Sequence, residues 1–307
     1  MEYDQQQDVV YGYKDGMALV MDVYTPKVSP NGVGIIWVAA GGWQEFFAWR
    51  RDAFALEAGE DDPSHPAIAE LLRPLLSAGF SLFAVQHSSQ PRYTIDDIRP
   101  DMSRAVRYIR HHAKDFDIHP QRIGIIGGSS GGHVSLMAAT APPPPDTDGE
   151  DPIDRESSEI QAVVAYFPPT DFLNWGSDNT TAYDANREFK ARERAPSIYE
   201  AVYDFRRWDA EQQRFERITD PTERIEYLRR NSPIEHLSVS TPPTLLLHGD
   251  QDQLVPLQQS ERLVARMEKL GITYKFVLFP GLGHAWPEPP NNGQEELLHW
   301  FEKYLLD

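Results

Sequence analysis

Apolar residues recur along this chain in two rhythms that take turns. At positions 17–24 they alternate with polar ones and stop at Pro26, the period of a half-buried strand. Positions 33–40 are almost wholly apolar, as a strand buried on both faces must be. Between 65 and 78 the spacing changes to that of a helix, with Ile68, Leu71, Leu72, Leu75 and Leu76 on one stripe and Gly79 as its C-terminal stop. The alternation continues with a strand at 80–85 and a long amphipathic helix at 95–116. That helix carries Ile98, Met102, Val106, Ile109 and Ala113 on one face. Ile123, Ile125 and Ile126 predict a buried strand that passes through Gly127-Gly128-Ser129-Ser130-Gly131-Gly132-His133 into a helix bearing Val134, Leu136, Met137 and Ala138. Strands at 160–167, 244–248 and 273–279 and helices at 257–270 and 295–306 complete the series. Such alternation implies an α/β fold, a mostly parallel sheet with helices on both faces. In such sheets ligands bind beyond the carboxyl ends of the strands.

The rhythm breaks twice. Pro142 to Pro145 and the acidic run up to Asp154 predict a loop. Residues 171–238 are polar and charged, with scattered aromatics such as Trp175, Tyr199, Tyr203, Phe205 and Trp208. They are expected to form a mostly helical insertion between two parts of one domain, 1–170 and 239–307.

Composition narrows the field a little. The chain has 307 residues, 40% hydrophobic and 25% charged, which suits a globular domain with a sizeable core. Its net charge of −18 argues against nucleic acid and anionic membranes as partners. With no cysteine there is no disulfide, no thiolate nucleophile and no cysteine-held metal. His111-His112 are adjacent on a helix and point apart, so no metal site or cofactor is expected. No apolar run is long enough to cross a bilayer. The acidic start, Met1-Glu2-Tyr3-Asp4, lacks a signal-peptide pattern, so a cytoplasmic location is the default expectation. A secreted or periplasmic protein whose signal had been removed would read the same way.

Strand, tight glycine-lined turn and helix are what a G-x-S-x-G nucleophile elbow requires. Two frames overlap. One makes Ser129 the nucleophile and the other Ser130; the first is favoured because it ends where the apolar run ends. Serine needs a base, and the base needs a carboxylate to fix its tautomer. His284, on the glycine-bearing loop after the last strand, is the favoured base. His133 is the rival, and is expected to pack rather than relay a proton. After the strand at 244–248, Asp252 and Asp250 both qualify as the carboxylate. Asp252 is favoured for its reach, with Asp250 as a turn-stabilising residue. Donors for an oxyanion are expected from the N–H of Ser130 and from the glycines of Ala39-Ala40-Gly41-Gly42-Trp43.

With these residues assembled, the chain resembles the α/β-hydrolase superfamily. It looks most like the carboxylesterase branch of acetyl-carbohydrate and hormone-sensitive-lipase-like esterases. Its most specific pieces are Asp117-Ile118-His119-Pro120-Gln121-Arg122-Ile123-Gly124 leading into the elbow, and His248-Gly249-Asp250-x-Asp252. The resemblance implies Ser129, Asp252 and His284 as triad, with the N–H groups of Gly41, Gly42 and Ser130 as oxyanion hole and the insertion as cap. Where the family often has His-Gly-Gly-Gly-Trp, this chain has Ala39-Ala40-Gly41-Gly42-Trp43, which puts the geometry of the hole in question. The expected reaction is hydrolysis of short-chain esters through an acyl-enzyme, acetyl or feruloyl esters of carbohydrates among them. Trp43, Phe46, Phe47 and Trp49, with Trp175 in the insertion, are the candidate substrate-binding aromatics. The charge-dense stretches at 187–194 and 204–207 argue against a lipid interface. Two other readings share the fold. A prolyl-oligopeptidase-type peptidase would be expected to carry a sieving domain for which this length leaves no room. A non-catalytic binding protein would be expected to lack a triad member.

Overall fold

The computed structural model describes residues 2–45, 50, 65–90, 92–185, 206–284 and 292–306. The chain opens with a long hairpin, β1 (Tyr3–Lys14) and β2 (Met17–Pro26). It turns at Asp15-Gly16, both with positive φ, as a two-residue hairpin turn demands. β3 (Gly34–Val38) follows, then a small ribbon of β4 (Ala40–Gly41) and β5 (Gln44–Glu45). After it come α1 (His65–Ser77), β6 (Ser81–Val85), α2 (Ile95–His111), β7 (Ile123–Gly128), α3 (Ser130–Thr140) and β8 (Ala162–Tyr166). A second ribbon, β9 (Arg206–Asp209) and β10 (Arg214–Arg217), precedes α4 (Pro221–Arg230) and a single 3-10 turn at Pro233–His236. The chain closes with β11 (Thr244–Gly249), α5 (Gln258–Leu270), β12 (Tyr274–Phe279) and α6 (Gln294–Leu305).

Eight strands form one sheet in the order β1-β2-β6-β3-β7-β8-β11-β12. β2 runs antiparallel to both its neighbours, and every other pairing is parallel. The inner strands β3, β6, β7, β8 and β11 are buried at every position, which is why they read as continuous apolar runs. Their side chains still alternate between two cores. Ile36 and Val38 face Met102, Leu136 and Leu263 on the side of α2, α3 and α5. Ile35 and Trp37 face Leu72 and Phe301 on the side of α1 and α6. Gly124 marks where α6 crosses β7: a methyl group there would lie 2.7 Å from the Phe301 ring.

β1 was not legible in the sequence, because its first half is exposed and polar and only Tyr11 is buried, so it carries no period. Of the insertion, the described residues hold helical turns at 182–185, α4, the 3-10 turn and the β9–β10 ribbon, whose charged sequence carries no strand signal. Its base is joined to the sheet domain. Gln259 of α5 accepts the N–H groups of Thr170 and Asp171, Arg262 pairs with Asp171, and Phe172 N–H bonds the Ser232 hydroxyl. Phe172, Trp175, Ala182, Tyr227, Leu228 and Leu237 lie in the same core as α2 and α3.

One ionic cluster holds the hairpin to the chain after the first ribbon. Asp22, fully buried on β2, pairs with Arg50, which is 2% exposed, and also accepts the N–H of Asp8 at 2.8 Å. Arg50 reaches Asp8 as well, at 2.9 Å. Removing one member of such a pair strands the other's charge in a dry site, at a cost of about 3–5 kcal/mol. Asp22→Ala should therefore lower the urea midpoint sharply. Loss of the exposed Lys27–Asp4 pair should leave it unchanged. Equal midpoints for the two variants would show that the buried pair contributes nothing.

Candidate active site

β7 runs into α3 through one residue, Ser129, held at φ 53° and ψ −122°. A non-glycine residue in that region is strained by about 1–3 kcal/mol and persists only where its surroundings dictate it. Here they do. A methyl group on Gly127 would lie 2.4 Å from the Gly131 carbonyl, and one on Gly131 2.9 Å from the Val38 carbonyl oxygen. The Ser129 N–H donates to Tyr166 O at 2.9 Å, and its carbonyl accepts the His133 N–H at 2.9 Å. The turn aims the two serines differently. Ser129 Oγ donates to His284 Nε2 at 2.9 Å. Ser130, the first residue of α3, has its hydroxyl buried and without a hydrogen-bond partner among the described residues.

His284 comes from the loop after β12. That loop lies so close on β11 that a methyl group on Gly249 would be 2.2 Å from the Leu282 carbonyl oxygen. Asp250 fastens it, accepting the Gly281 N–H at 2.7 Å, the turn-stabilising part expected of it. Asp252 is buried. Its Oδ1 accepts the N–H groups of Leu254 and Val255 at 2.9 and 2.8 Å, and its Oδ2 accepts His284 Nδ1–H at 2.7 Å. Burial alone would raise the Asp252 pKa. The bonds from His248, His284 and the Val255 N–H outweigh it and hold the carboxyl well below the usual carboxylate range. An anion at Oδ2 keeps the His284 proton on Nδ1, so Nε2 presents a lone pair to the serine.

His248 is a neighbour whose part the sequence did not disclose. It is fully buried, with Nδ1 2.8 Å from the Ser260 hydroxyl. Its Nε2 lies 2.9 Å from Val255 O and 3.2 Å from Asp252 Oδ2. Two acceptors facing Nε2 place the proton there. Only its position in the His-Gly-Asp-x-Asp stretch hinted at this contact.

Gly41 and Gly42 lie on the β4–β5 ribbon, which turns at Gly42-Trp43 directly above the first turn of α3. Trp43 itself corrects the sequence reading. It is 1% exposed, donating its indole N–H to His133 Nδ1 at 3.0 Å, so it is a core residue and offers no open face. Trp175 is 6% exposed and stacks on Phe172 at 6.1 Å, so it too faces inward. In both cases the reason is a partner across the core. Phe46, Phe47, Trp49, the run 187–194 and residues 204–205 lie outside the described residues. His133 packs, as expected, with its own Nε2–H donated to Asn231 O at 2.7 Å. Burial pushes its pKa down to about 4, so it is neutral and has no free nitrogen with which to act as a base. Among the described residues no cluster of three or more His, Asp or Glu could hold a metal, and no helix is long and apolar enough to cross a membrane.

Counting the eight strands of the large sheet along the chain, their spatial order is 1-2-4-3-5-6-7-8. Together with the elbow after the fifth strand, this makes the protein an α/β-hydrolase in fold. More narrowly, the chain belongs to the BD-FAE family, whose model matches residues 21–267. It is 26% identical over 272 residues to the probable carboxylic ester hydrolase LipM of Mycobacterium tuberculosis, covering 88% of this chain and 53% of that protein. Two solved structures share its fold. One, a truncated form of a carbohydrate esterase from gut microbiota, has a TM-score of 0.71 at 22% identity over 99% of this chain and 97% of its own. The other, an acetyl ester-xyloside bifunctional hydrolase from Caldicellulosiruptor lactoaceticus, has a TM-score of 0.71 at 20% identity over 97% and 96%. The chain spans about half the length of the curated relatives it matches.

The depressed pKa of His133 makes a stability prediction. In the unfolded chain a histidine titrates near 6.5, so between about pH 6.5 and 4 the unfolded state binds a proton that the folded state refuses. The resulting stabilisation is complete above about pH 6.5 and is lost as pH falls toward 4, by about 3 kcal/mol. Denaturant titrations at about pH 7.5 and 4.5 should show this slope in the native protein and a shallower one in His133→Asn. Identical slopes would remove His133 as its source.

Proposed function

We propose that the protein is a serine carboxylesterase acting on short-chain esters, including acetyl or feruloyl esters of carbohydrates, through an acyl-enzyme. The observation that carries this reading is the single relay Asp252–His284–Ser129, with bonds of 2.7 and 2.9 Å. In it, His284 Nε2 takes the Ser129 proton as Oγ attacks the ester carbonyl carbon. The carbonyl π pair moves to oxygen, and the N–H groups of Gly41, Gly42 and Ser130 receive that oxyanion. Collapse restores the carbonyl and breaks the bond to the alcohol oxygen, which leaves with the proton from His284. Water, deprotonated by the same nitrogen, then attacks the acyl-enzyme and frees the acid and Ser129. Asp252 keeps its charge throughout and stabilises the imidazolium.

The substrate class is supported by family membership and by similarity to a probable carboxylic ester hydrolase and to a carbohydrate esterase. The 171–238 segment is the part we assign to shaping the acyl or alcohol pocket. Trp208, 53% exposed on the β9–β10 ribbon, is its described aromatic most open to a ligand.

Ser129→Ala should lower kcat by about four orders of magnitude or more while leaving the melting curve in place, because alanine fits wherever serine does. Asp252→Asn should cost far more activity than Asp250→Asn. Across p-nitrophenyl esters from acetate to palmitate, kcat/KM should peak at the short acyl chains, with acetylated xylan also hydrolysed. Full activity in Ser129→Ala would sink the mechanism, and a maximum at the long chains would sink the substrate class.

A further inference from the structure

The Gly42-Trp43 turn has φ values of 58° and 55°. Glycine adopts that conformation readily, but tryptophan does not, so something must hold Trp43 there. Its carbonyl accepts the Gln90 N–H at 3.1 Å. Its indole is sunk against Phe172 and His133, with ring centroids at 5.9 and 5.4 Å. The indole N–H, buried from water, donates to His133 Nδ1 at 3.0 Å. His133 can accept there only if its own proton is on Nε2, and the Asn231 carbonyl, 2.7 Å away, fixes that tautomer. The same histidine is tied to the elbow, since its backbone N–H is bonded to the Ser129 carbonyl. Asn231 in turn caps α4 of the insertion and donates to Asp96 at 2.9 Å. A phenylalanine at 133 could fill this space, but it would leave the indole N–H buried and unmet.

We propose that His133 and Trp43 are a positioning pair for the oxyanion hole. His133, locked in its Nε2–H tautomer by Asn231, accepts the Trp43 indole N–H. It thereby holds the strained Gly42-Trp43 turn at a fixed offset from Ser129, and it ties that offset to the seating of α4 through Asn231. The proposal rests on the esterase reading and on the oxyanion donors assigned in it. The pair replaces a brace from within the loop, where Ala39 and Ala40 have no side-chain hydrogen-bonding group. Neither residue is asked to touch the substrate. Their effect is on where backbone N–H groups stand when charge develops on the carbonyl oxygen, so it belongs to the transition state more than to the ground state.

The test compares Trp43→Phe, which removes the donor and keeps an aromatic ring, with His133→Leu, which removes the acceptor, and His133→Asn, whose Oδ1 can stand where Nδ1 stood. Steady-state kinetics on p-nitrophenyl acetate are read together with the inhibition constant of a boronic acid, which mimics the tetrahedral adduct, and with the melting curve. Trp43→Phe and His133→Leu should each lower kcat by about 10- to 100-fold at nearly constant KM, and weaken the boronic acid by a similar factor. The double variant should be no slower than either single one, because both break the same bond. His133→Asn should recover most of kcat. A folded Trp43→Phe protein with native kcat and boronic-acid affinity overturns the proposal, as does a loss confined to KM. So does a parallel fall in kcat and melting temperature in which His133→Asn is no better than His133→Leu. Should His133→Leu fail to fold, Trp43→Phe against the native protein decides alone. Failure of the esterase reading looks different, since Ser129→Ala would then hydrolyse the ester as fast as the native protein.

Discussion

The elbow at Ser129 is the constraint on which the site depends. A serine cannot sit at φ 53° on its own merits, and the strain is offset by how closely three other elements approach it. Val38 at the end of β3 comes within contact of Gly131, Tyr166 of β8 takes the Ser129 N–H, and His133 of α3 takes its carbonyl. Each approach needs the glycines around the serine, because a single methyl group would collide with backbone at 2.4–3.1 Å. The sheet supplies the rest by putting the carboxyl ends of β3, β7, β11 and β12 on one rim, so that three loops distant in sequence meet over one hydroxyl.

Charge at Asp252 is the second balance. Taking a lone carboxylate out of water costs several kcal/mol. Against that stand the N–H groups of Leu254 and Val255 and the rings of His284 and His248, and a hydrogen bond to a charged group is worth about 1.5–3 kcal/mol. Several such bonds exceed the penalty, which is why the carboxyl remains anionic despite its burial. The negative charge then fixes the tautomer of His284, which leaves the Nε2 lone pair facing the Ser129 hydroxyl.

Much of this was legible in the sequence because sterics leave few options. A strained strand-to-helix turn demands small residues on both sides of the serine, and the run from Gly127 to Gly132 is that demand written out. The loops bearing Asp252 and His284 were legible for a similar reason, since each follows a buried apolar run and carries its own turn residues. Aromatic orientation was not. Trp43 could face a substrate or the core, and what decides is His133, 90 positions away, together with Phe172 from the insertion. Trp175 is decided likewise by Phe172. The role of His248 depends on the loop that returns Asp252 to it, and β1 escaped because a strand with a single buried residue need not carry a pattern. Local geometry prints itself on sequence, whereas contacts across the core do so only when they need an uncommon residue.

The central claim is that Ser129 is a nucleophile activated by His284, and trapping it covalently tests that most directly. The protein would be treated with a small fluorophosphonate, its intact mass measured and the adduct located by peptide mapping. One phosphonyl group per chain, on Ser129 and absent from the His284→Ala variant, is the predicted result. Labelling on Ser130, labelling that proceeds equally without His284, or no adduct at all would contradict it.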